Sequence, residues 1–132
     1  MTLHYGRQMI FKVHRTKTKG RKEWWDATKS YRVVCVKEVA GVKVNPRYHA
    51  LVKITLPGHV LWDFVDRHGT YKTQRKACEA CDTHKKIWER ALQAETKTQL
   101  LKALGRLPIG VPCWVAGIIN PEFMQLMMQA AK

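Results

Sequence analysis

The residues whose types and spacing come closest to a metal site are Cys78, Cys81 and His84. They recur at every third position of a segment with helical periodicity, so the two thiolates could reach one ion. Zinc prefers four tetrahedral ligands, and His84 could join only if the helix bent, with Cys35 or Cys113 as the fourth ligand. A zinc ribbon would carry a second cysteine pair at matching spacing, which this sequence lacks. The pattern favours small apolar cysteines on a buried helix face, and we predict no metal and no other cofactor.

Acid–base chemistry is the second possibility, because the chain has histidines at positions 4, 14, 49, 59, 68 and 84. A small basic ribonuclease could pair His49 or His59 with Lys53 or Arg67. No motif in the sequence fixes such a pair in space. We therefore predict no catalytic residue and no enzymatic activity, and a ribonuclease is the third of three functional alternatives.

The stretch that indicates function most directly is basic and lies near the N-terminus. Flexible cations can follow a phosphate backbone, and aromatic rings can stack on unpaired bases. Trp24 and Trp25 follow the cations in sequence, but we expect both rings to lie in the core. The predicted nucleic-acid contacts of this stretch are Lys12, His14, Arg15, Lys17, Lys19, Arg21 and Lys22.

The charge of the whole chain supports the same prediction. There are 24 Lys and Arg against 10 Asp and Glu, a formal charge of +14. Solubility of a small domain needs a magnitude of only about 2–8. Residues 1–37 alone hold 10 basic and 2 acidic side chains, net +8. Such a chain attracts polyanions, and it cannot be an acidic mimic of DNA.

The length of 132 residues, with 45% apolar side chains, suits a single domain. We divide it into a basic N-terminal strand and loop (1–30), a meander sheet plus helix (31–94) and C-terminal helices that cover the core (95–132). The first residues have no apolar signal core, so we expect free thiols and a cytoplasmic location, nucleoid-associated or nuclear in a eukaryote. The longest uncharged run, residues 107–121, is shorter than the ~20 residues that a membrane span needs.

Hydrophobic periodicity predicts the elements. Alternation indicates strands, spacing at i, i+3 and i+4 indicates helices, and Pro57-Gly58 is a turn signal. The expected fold is α+β, an antiparallel sheet of three or four strands packed by a long helix, with helical C-terminal elements. We predict strands over 9–13, 31–39, 47–56 and 59–66, a loop over 14–22, helices over 74–94, 97–104 and from 121, and an irregular segment over 107–119.

The entry to the long helix carries a pattern of its own. Gly69, Tyr71, Thr73 and Ala77 follow the order Gly–x–aromatic–x–Thr–x–x–x–Ala. With three antiparallel strands before it, this segment, about residues 31–92, resembles the small DNA-binding modules of the AP2 type and of phage integrase arm-binding domains. The resemblance implies that an exposed sheet face lies in the major groove. The residues it would place on that face are Arg32, His49, Lys53 and Thr55.

One departure from that family pattern concerns the same strands. Strand alternation also places five apolar residues on the proposed DNA-reading face, namely Val34, Val36, Leu51, Leu61 and Val65. A sheet that is apolar on both faces is expected to be covered on both, here by residues 107–119 and the last helix. DNA could then not lie on the sheet, and only the basic N-terminal region would remain free to bind it.

These observations lead to one main function and one runner-up. The main prediction is non-enzymatic nucleic-acid binding, with double-stranded DNA ahead of structured RNA, through phosphate contacts of the N-terminal third, with no membrane partner. The runner-up is a small phage-like accessory factor that docks on a protein partner through its Met-rich C-terminal helix, which contains Met124, Met127 and Met128. We expect that helix to place Phe123, Leu126, Met127 and Ala130 against the core.

Overall fold

A six-stranded antiparallel sheet and four helices make up the fold, in a computed structural model that describes residues 9–14, 16, 20–66, 69–105 and 110–130. Five strands lie side by side in sequence order, and a short sixth strand pairs with the fourth. The predicted α+β class is confirmed, and the sheet is larger than the three or four strands expected. The strands are β1 (Phe11–His14), β2 (Arg21–Asp26), β3 (Tyr31–Val39), β4 (Val42–Leu56), β5 (His59–Phe64) and β6 (Val111–Pro112). The helices are α1 (Gln74–Ala91), α2 (Lys97–Leu104), α3 (Cys113–Ala116) and α4 (Pro121–Ala130).

The largest difference from the sequence prediction is β2. The loop expected over residues 14–22 gives way at Arg21 to a strand that pairs with both β1 and β3. The turn after β2 is built around Asp26, whose carboxylate accepts the backbone N–H groups of Thr28, Ser30 and Tyr31 at 3.0, 2.8 and 2.7 Å. This short turn places β2 beside β3, so that Trp24 and Trp25 lie next to that strand.

β4 begins five residues before the predicted start at position 47. Ala40 and Gly41 both have positive φ, 51° and 82°, as in the two-residue turns that match the twist of a hairpin. Two residues are therefore enough to form the turn, and β4 starts at Val42. Nearer the sheet, Lys37 alone on β3 faces the three residues 44–46 on β4, because the register jumps between the pairs Val36↔Arg47 and Glu38↔Lys43.

One side of the sheet carries the core. The residues Tyr31, Val33, Ala50 and Val52 pack against Ala77 and Cys81 of α1, and Trp114 of α3 packs against the same cluster. A second cluster joins the helices through Trp88, Leu100, Val115 and Phe123. Trp114 also contacts this second cluster, so one indole ring connects the two.

α1 buries two acidic side chains. Its cap Thr73 accepts the N–H of Lys76, and the helix ends at Ala91 instead of the predicted residue 94. Asp82 is only 6% exposed and accepts the backbone N–H of Met9 at 2.8 Å. Glu89 is 5% exposed.

The C-terminal elements follow the prediction closely, with one change. α2 has the predicted bounds, and the side chain of Asn120 accepts the N–H of Phe123 at the start of α4. Phe123, Leu126, Met127 and Ala130 pack in the second core cluster, as expected. The segment predicted to be irregular contains β6 and α3, while residues 106–109 lie outside the described part of the chain.

Candidate nucleic-acid interface

The strand register decides which side chains share the face of the sheet away from the core. One row of register partners runs across all five strands, from Lys12 through Trp25, Arg32 and Leu51 to Phe64. Their neighbours along the strands, such as Trp24 and Val33, point to the core. We call this side the open face. Its other members are His14, Arg21, Glu23, Val34, Val36, Arg47, His49, Lys53, Thr55, Val60 and Trp62.

The expectation that helices cover both faces is wrong for the described residues. Leu61 and Val65 were assigned to the same face as Arg32, but Leu61 is paired with Ile54 and both Leu61 and Val65 pack in the first core cluster. The reason is the two-residue turn, which pairs Leu56 directly with His59 and so sets the alternation of β5. No strand residue of the open face belongs to either core cluster.

Large side chains of the open face cover its apolar centre themselves. The rings of Trp25 and Trp62 meet edge to face with centroids 5.2 Å apart, and the ring of His14 lies 4.4 Å from that of Trp25. Val34 lies on this face and is only 3% exposed. The predicted core location holds for Trp24, while Trp25 is half-buried in this outer layer.

Arg32 occupies the middle of the layer. Its guanidinium carbon lies 4.4 Å from the ring centroid of Trp62 and 5.6 Å from that of Trp25, within the range of cation–π attraction. Its Nη1 donates to Oε1 of Glu23 at 3.0 Å. Burial lowers the pKa of Arg32, and the charge of Glu23 acts in the opposite direction. The result is a cation held in one position by two indoles and a carboxylate.

Glu23 contacts three side chains of this layer. Its side chain is 7% exposed, and its Oε2 lies 3.1 Å from Nε of Arg21. Its Oε1 accepts from Arg32 and also from Nε1 of Trp25 at 3.1 Å. A single buried carboxylate therefore fixes two arginines and one indole on the open face.

The predicted contact residues divide into three groups. Lys12, His14, Arg21, Arg32 and Lys53 lie together on the open face. Lys22 is exposed but is the register partner of Cys35, so it belongs to the side that carries the core. Arg15, Lys17 and Lys19 lie outside the described residues. Sequence reasoning did not include Trp25, Arg47, Trp62 and Phe64, although the alternation of β2, β4 and β5 with the correct register would have found them.

The described residues weighed for catalysis and for metal binding lie on different sides of the sheet or in the core. His49 and Lys53 share the open face, but His59 belongs to the opposite side, and Arg67 is not among the described residues. His84 points into the core, where its Nδ1 lies 2.7 Å from the hydroxyl of Tyr31.

The four cysteines are free thiols. Burial raises the pKa of the Cys78 thiol to about 11, and the charges of Asp82 and Glu79 add to the effect. Across the described ranges, no three His, Cys, Asp or Glu side chains converge on a possible metal position.

Comparisons with known proteins provide no relative from which to transfer a function. No protein family, curated protein or solved structure matches the chain. The resemblance of residues 31–92 to AP2-type modules therefore stays a hypothesis based on strand order and on the pattern from Gly69 to Ala77. Among the described helices, none is long and apolar enough to cross a membrane.

Proposed function

We propose that this is a non-enzymatic nucleic-acid-binding protein that binds double-stranded DNA with the open face of its sheet. The observation that carries the proposal is the charge of that face. In the regularly paired part of the sheet, its cations outnumber its carboxylates five to one, with Glu23 as the carboxylate. A phosphate backbone binds such a surface by releasing its counterions. The cations are Lys12, Arg21, Arg32, Arg47 and Lys53.

The packing of the aromatic side chains favours a duplex over an unpaired strand. Stacking with unpaired bases requires aromatic faces that are free to receive them. The ring of Trp25 is already in contact with His14 and Trp62, and the guanidinium of Arg32 lies over Trp62. The rings of Trp25 and Trp62 therefore pack against neighbours on the open face, and they hold the guanidinium of Arg32.

Lys12 and Lys53 are the cations best suited to phosphate contact. Arg21 and Arg32 are both held by Glu23, whereas neither lysine forms an ion pair with a described carboxylate. A free ammonium on a flexible stem can adjust to phosphates of any base sequence. Such contacts position a protein on DNA without reading bases.

Replacement of both lysines tests the proposal. Each phosphate contact adds about 0.9 to the slope of log affinity against log salt, so Lys12→Ala with Lys53→Ala should flatten the slope by about 2. The measurement is fluorescence anisotropy of a labelled duplex at several salt concentrations. We expect equal losses on unrelated DNA sequences, because phosphates carry no sequence information.

The matched control removes two exposed lysines from α1, on the other side of the sheet, through Lys76→Ala with Lys86→Ala. This variant has the same net charge and should keep the slope of the unmodified protein. Equal flattening in both double variants would show that total charge, not the open face, attracts DNA. Binding by the unmodified protein that does not respond to salt would refute the proposal.

A further inference from the structure

The end of the β3–β4 hairpin, residues 37–47, projects beyond the sheet; we call it the hairpin tip. The register of β2 with β3 ends at Val36, and that of β5 with β4 begins at Leu51. Past those points β3 and β4 pair with each other, apart from single backbone contacts of Lys37 with Gly20 and of Tyr48 with Tyr71 at the base. Every residue from 39 to 47 is exposed. The hairpin tip is thus accessible from several sides.

Backbone hydrogen bonds hold its base, and its turn is short. The N–H of Lys37 donates to the carbonyl of Gly20 at 2.6 Å, and a side chain at position 20 would clash with Glu38. On β4, Tyr48 exchanges two backbone hydrogen bonds with Tyr71, at 2.9 and 2.7 Å. The closing turn has only two residues, both with positive φ. The hairpin tip is therefore pre-shaped, and little conformational entropy would be lost if it bound a ligand.

The surface of the hairpin tip combines apolar and cationic side chains. Val39 and Val42 are register partners, so they share one face of the ribbon, and they are 56% and 65% exposed. Val44 is 40% exposed. The charges of the hairpin tip are those of Lys37, Lys43, Arg47 and Glu38, net +2 from three cations and one anion, and Arg47, at its base, also belongs to the open face.

A groove of duplex DNA matches that combination. Two paired strands are about 4.8 Å apart, and the major groove, about 12 Å wide and 8.5 Å deep, admits a two-stranded ribbon. Its floor presents the C5-methyl groups of thymine, which apolar side chains contact, and phosphates line both of its edges. Valines at the end of a ribbon would face the floor while the lysines and the arginine approach the phosphates.

We propose that the hairpin tip enters the major groove of DNA and that Val39 and Val42 contact thymine methyl groups there. This inference rests on the proposed function, because it assigns a second contact to the same ligand. The open face supplies phosphate contacts that do not depend on sequence, whereas the hairpin tip supplies a preference for thymine.

The experiment compares two duplexes of equal length, dA·dT and dA·dU, which differ only in the thymine methyl groups. Each methyl group contacted is worth about fourfold in affinity, so the unmodified protein should bind dA·dT at least about fourfold more tightly. The variant Val39→Thr with Val42→Thr keeps the β-branched shape, replaces one of the two methyl groups of each side chain with a hydroxyl and should reduce this preference. Its salt slope should not change, because no cation is removed.

Val13→Thr is the matched control, since Val13 is 73% exposed on β1 and lies on the opposite side of the sheet from Lys12. It should keep the preference for dA·dT. Equal binding of both duplexes by the unmodified protein, or an unchanged preference in the double variant, would overturn the inference. So would an equal loss in Val13→Thr. After any of these results, a salt slope that is still flattened in the lysine variants would mean that only the role of the hairpin tip has failed. If the unmodified protein shows no salt-dependent binding, the proposed function fails as well.

Discussion

At the scale of single residues, the buried polar contact between Tyr31, His84 and Trp114 is sensitive to protonation. Nε1 of Trp114 donates to the hydroxyl of Tyr31 at 3.1 Å, which leaves the hydroxyl proton free to donate to Nδ1 of His84. Burial favours the neutral ring, and the tautomer with its proton on Nε2 can accept the hydroxyl proton at Nδ1. Burial lowers the pKa of His84 to about 4, although the charge of Asp66 acts to raise it.

This lowered pKa predicts a loss of stability in mild acid. An unfolded histidine titrates near pH 6.5, so the neutral ring of His84 stabilises the fold fully above that pH and progressively less as the pH falls towards 4. The free energy of unfolding should fall by about 3 kcal/mol across this window. Urea unfolding at several pH values measures it.

Two observations check the assignment to His84. The exposed residue His59 can be replaced by Gln, and this control should retain the pH dependence. An NMR titration of the folded protein should place the midpoint of the His84 ring well below 6.5, the ordinary value for histidine. A midpoint near 6.5 would contradict the prediction.

At the scale of elements, the sequence predicted those whose ends carry local signals. α2 has the predicted bounds because Thr96 caps its start and Gly105 ends it. β3 has the predicted bounds because its alternation is long and regular. β2 was missed because Arg21 and Lys22 are polar and the segment is short, and its strand state depends on partners on both sides.

The candidate site was predictable only in part for a related reason. Alternation sorts the residues of one strand into two classes, but it does not say which class of the next strand lies beside them. Which class lies beside which depends on the length of the turn between the two strands. For Trp62 and Phe64, the face was predicted without knowledge of the register of β5. Lys12 was predicted from its place in the basic stretch, and Arg32 and Lys53 from the face that the family resemblance implies, so these predictions did not depend on the register of β5. The layer formed by Trp25, Arg32 and Trp62 is a tertiary feature with no local sequence signal.

α4 yields a prediction that separates its two sides. Phe123 is 6% exposed in the second core cluster, whereas its neighbour Met124 is 51% exposed. Phe123→Ala should therefore cost about 3–5 kcal/mol of stability, because it removes a buried ring and leaves a cavity. Met124→Ala should change stability by less than about 0.5 kcal/mol.

Thermal or urea unfolding of both α4 variants provides the measurement. Similar stability in the two would mean that α4 does not complete the core. The docking role of this helix, predicted from its methionines, would then become the stronger explanation of its sequence.

At the scale of the whole molecule, the two core clusters are expected to unfold together. α1 contributes Ala77 and Cys81 to one cluster and Trp88 and Ala91 to the other, and Trp114 contacts both. Unfolding of one cluster would expose the parts of α1 and of Trp114 that pack in it. A half-folded state would therefore lose much of the buried apolar surface of the native protein. Urea unfolding followed by far-UV circular dichroism and by tryptophan fluorescence should give one midpoint. Two separate midpoints would show that the sheet and the helical cluster are independent units.

The distribution of acidic residues raises the positive charge that solvent and partners encounter. Four of the ten acidic side chains are buried, which leaves six carboxylates outside the interior to balance 24 cations. Three of the buried acids have internal roles in the fold: Glu23 with two arginines, Asp26 in a turn and Asp82 with the backbone of Met9. In the part of the chain that the structure describes, no Lys or Arg is buried, so this surface is more cationic than a uniform distribution of its charges would make it.

The contact between Trp25 and Trp62 has an optical consequence. Two indoles with centroids 5.2 Å apart share their electronic excitations, and the resulting circular dichroism depends on the angle between the rings, here 71°. A molecule that touched Arg32 or His14 would disturb that angle or the polarity around the pair. The protein therefore carries its own chromophore at the surface where we propose DNA to bind, and occupancy of that surface can be followed by spectroscopy without attaching a dye.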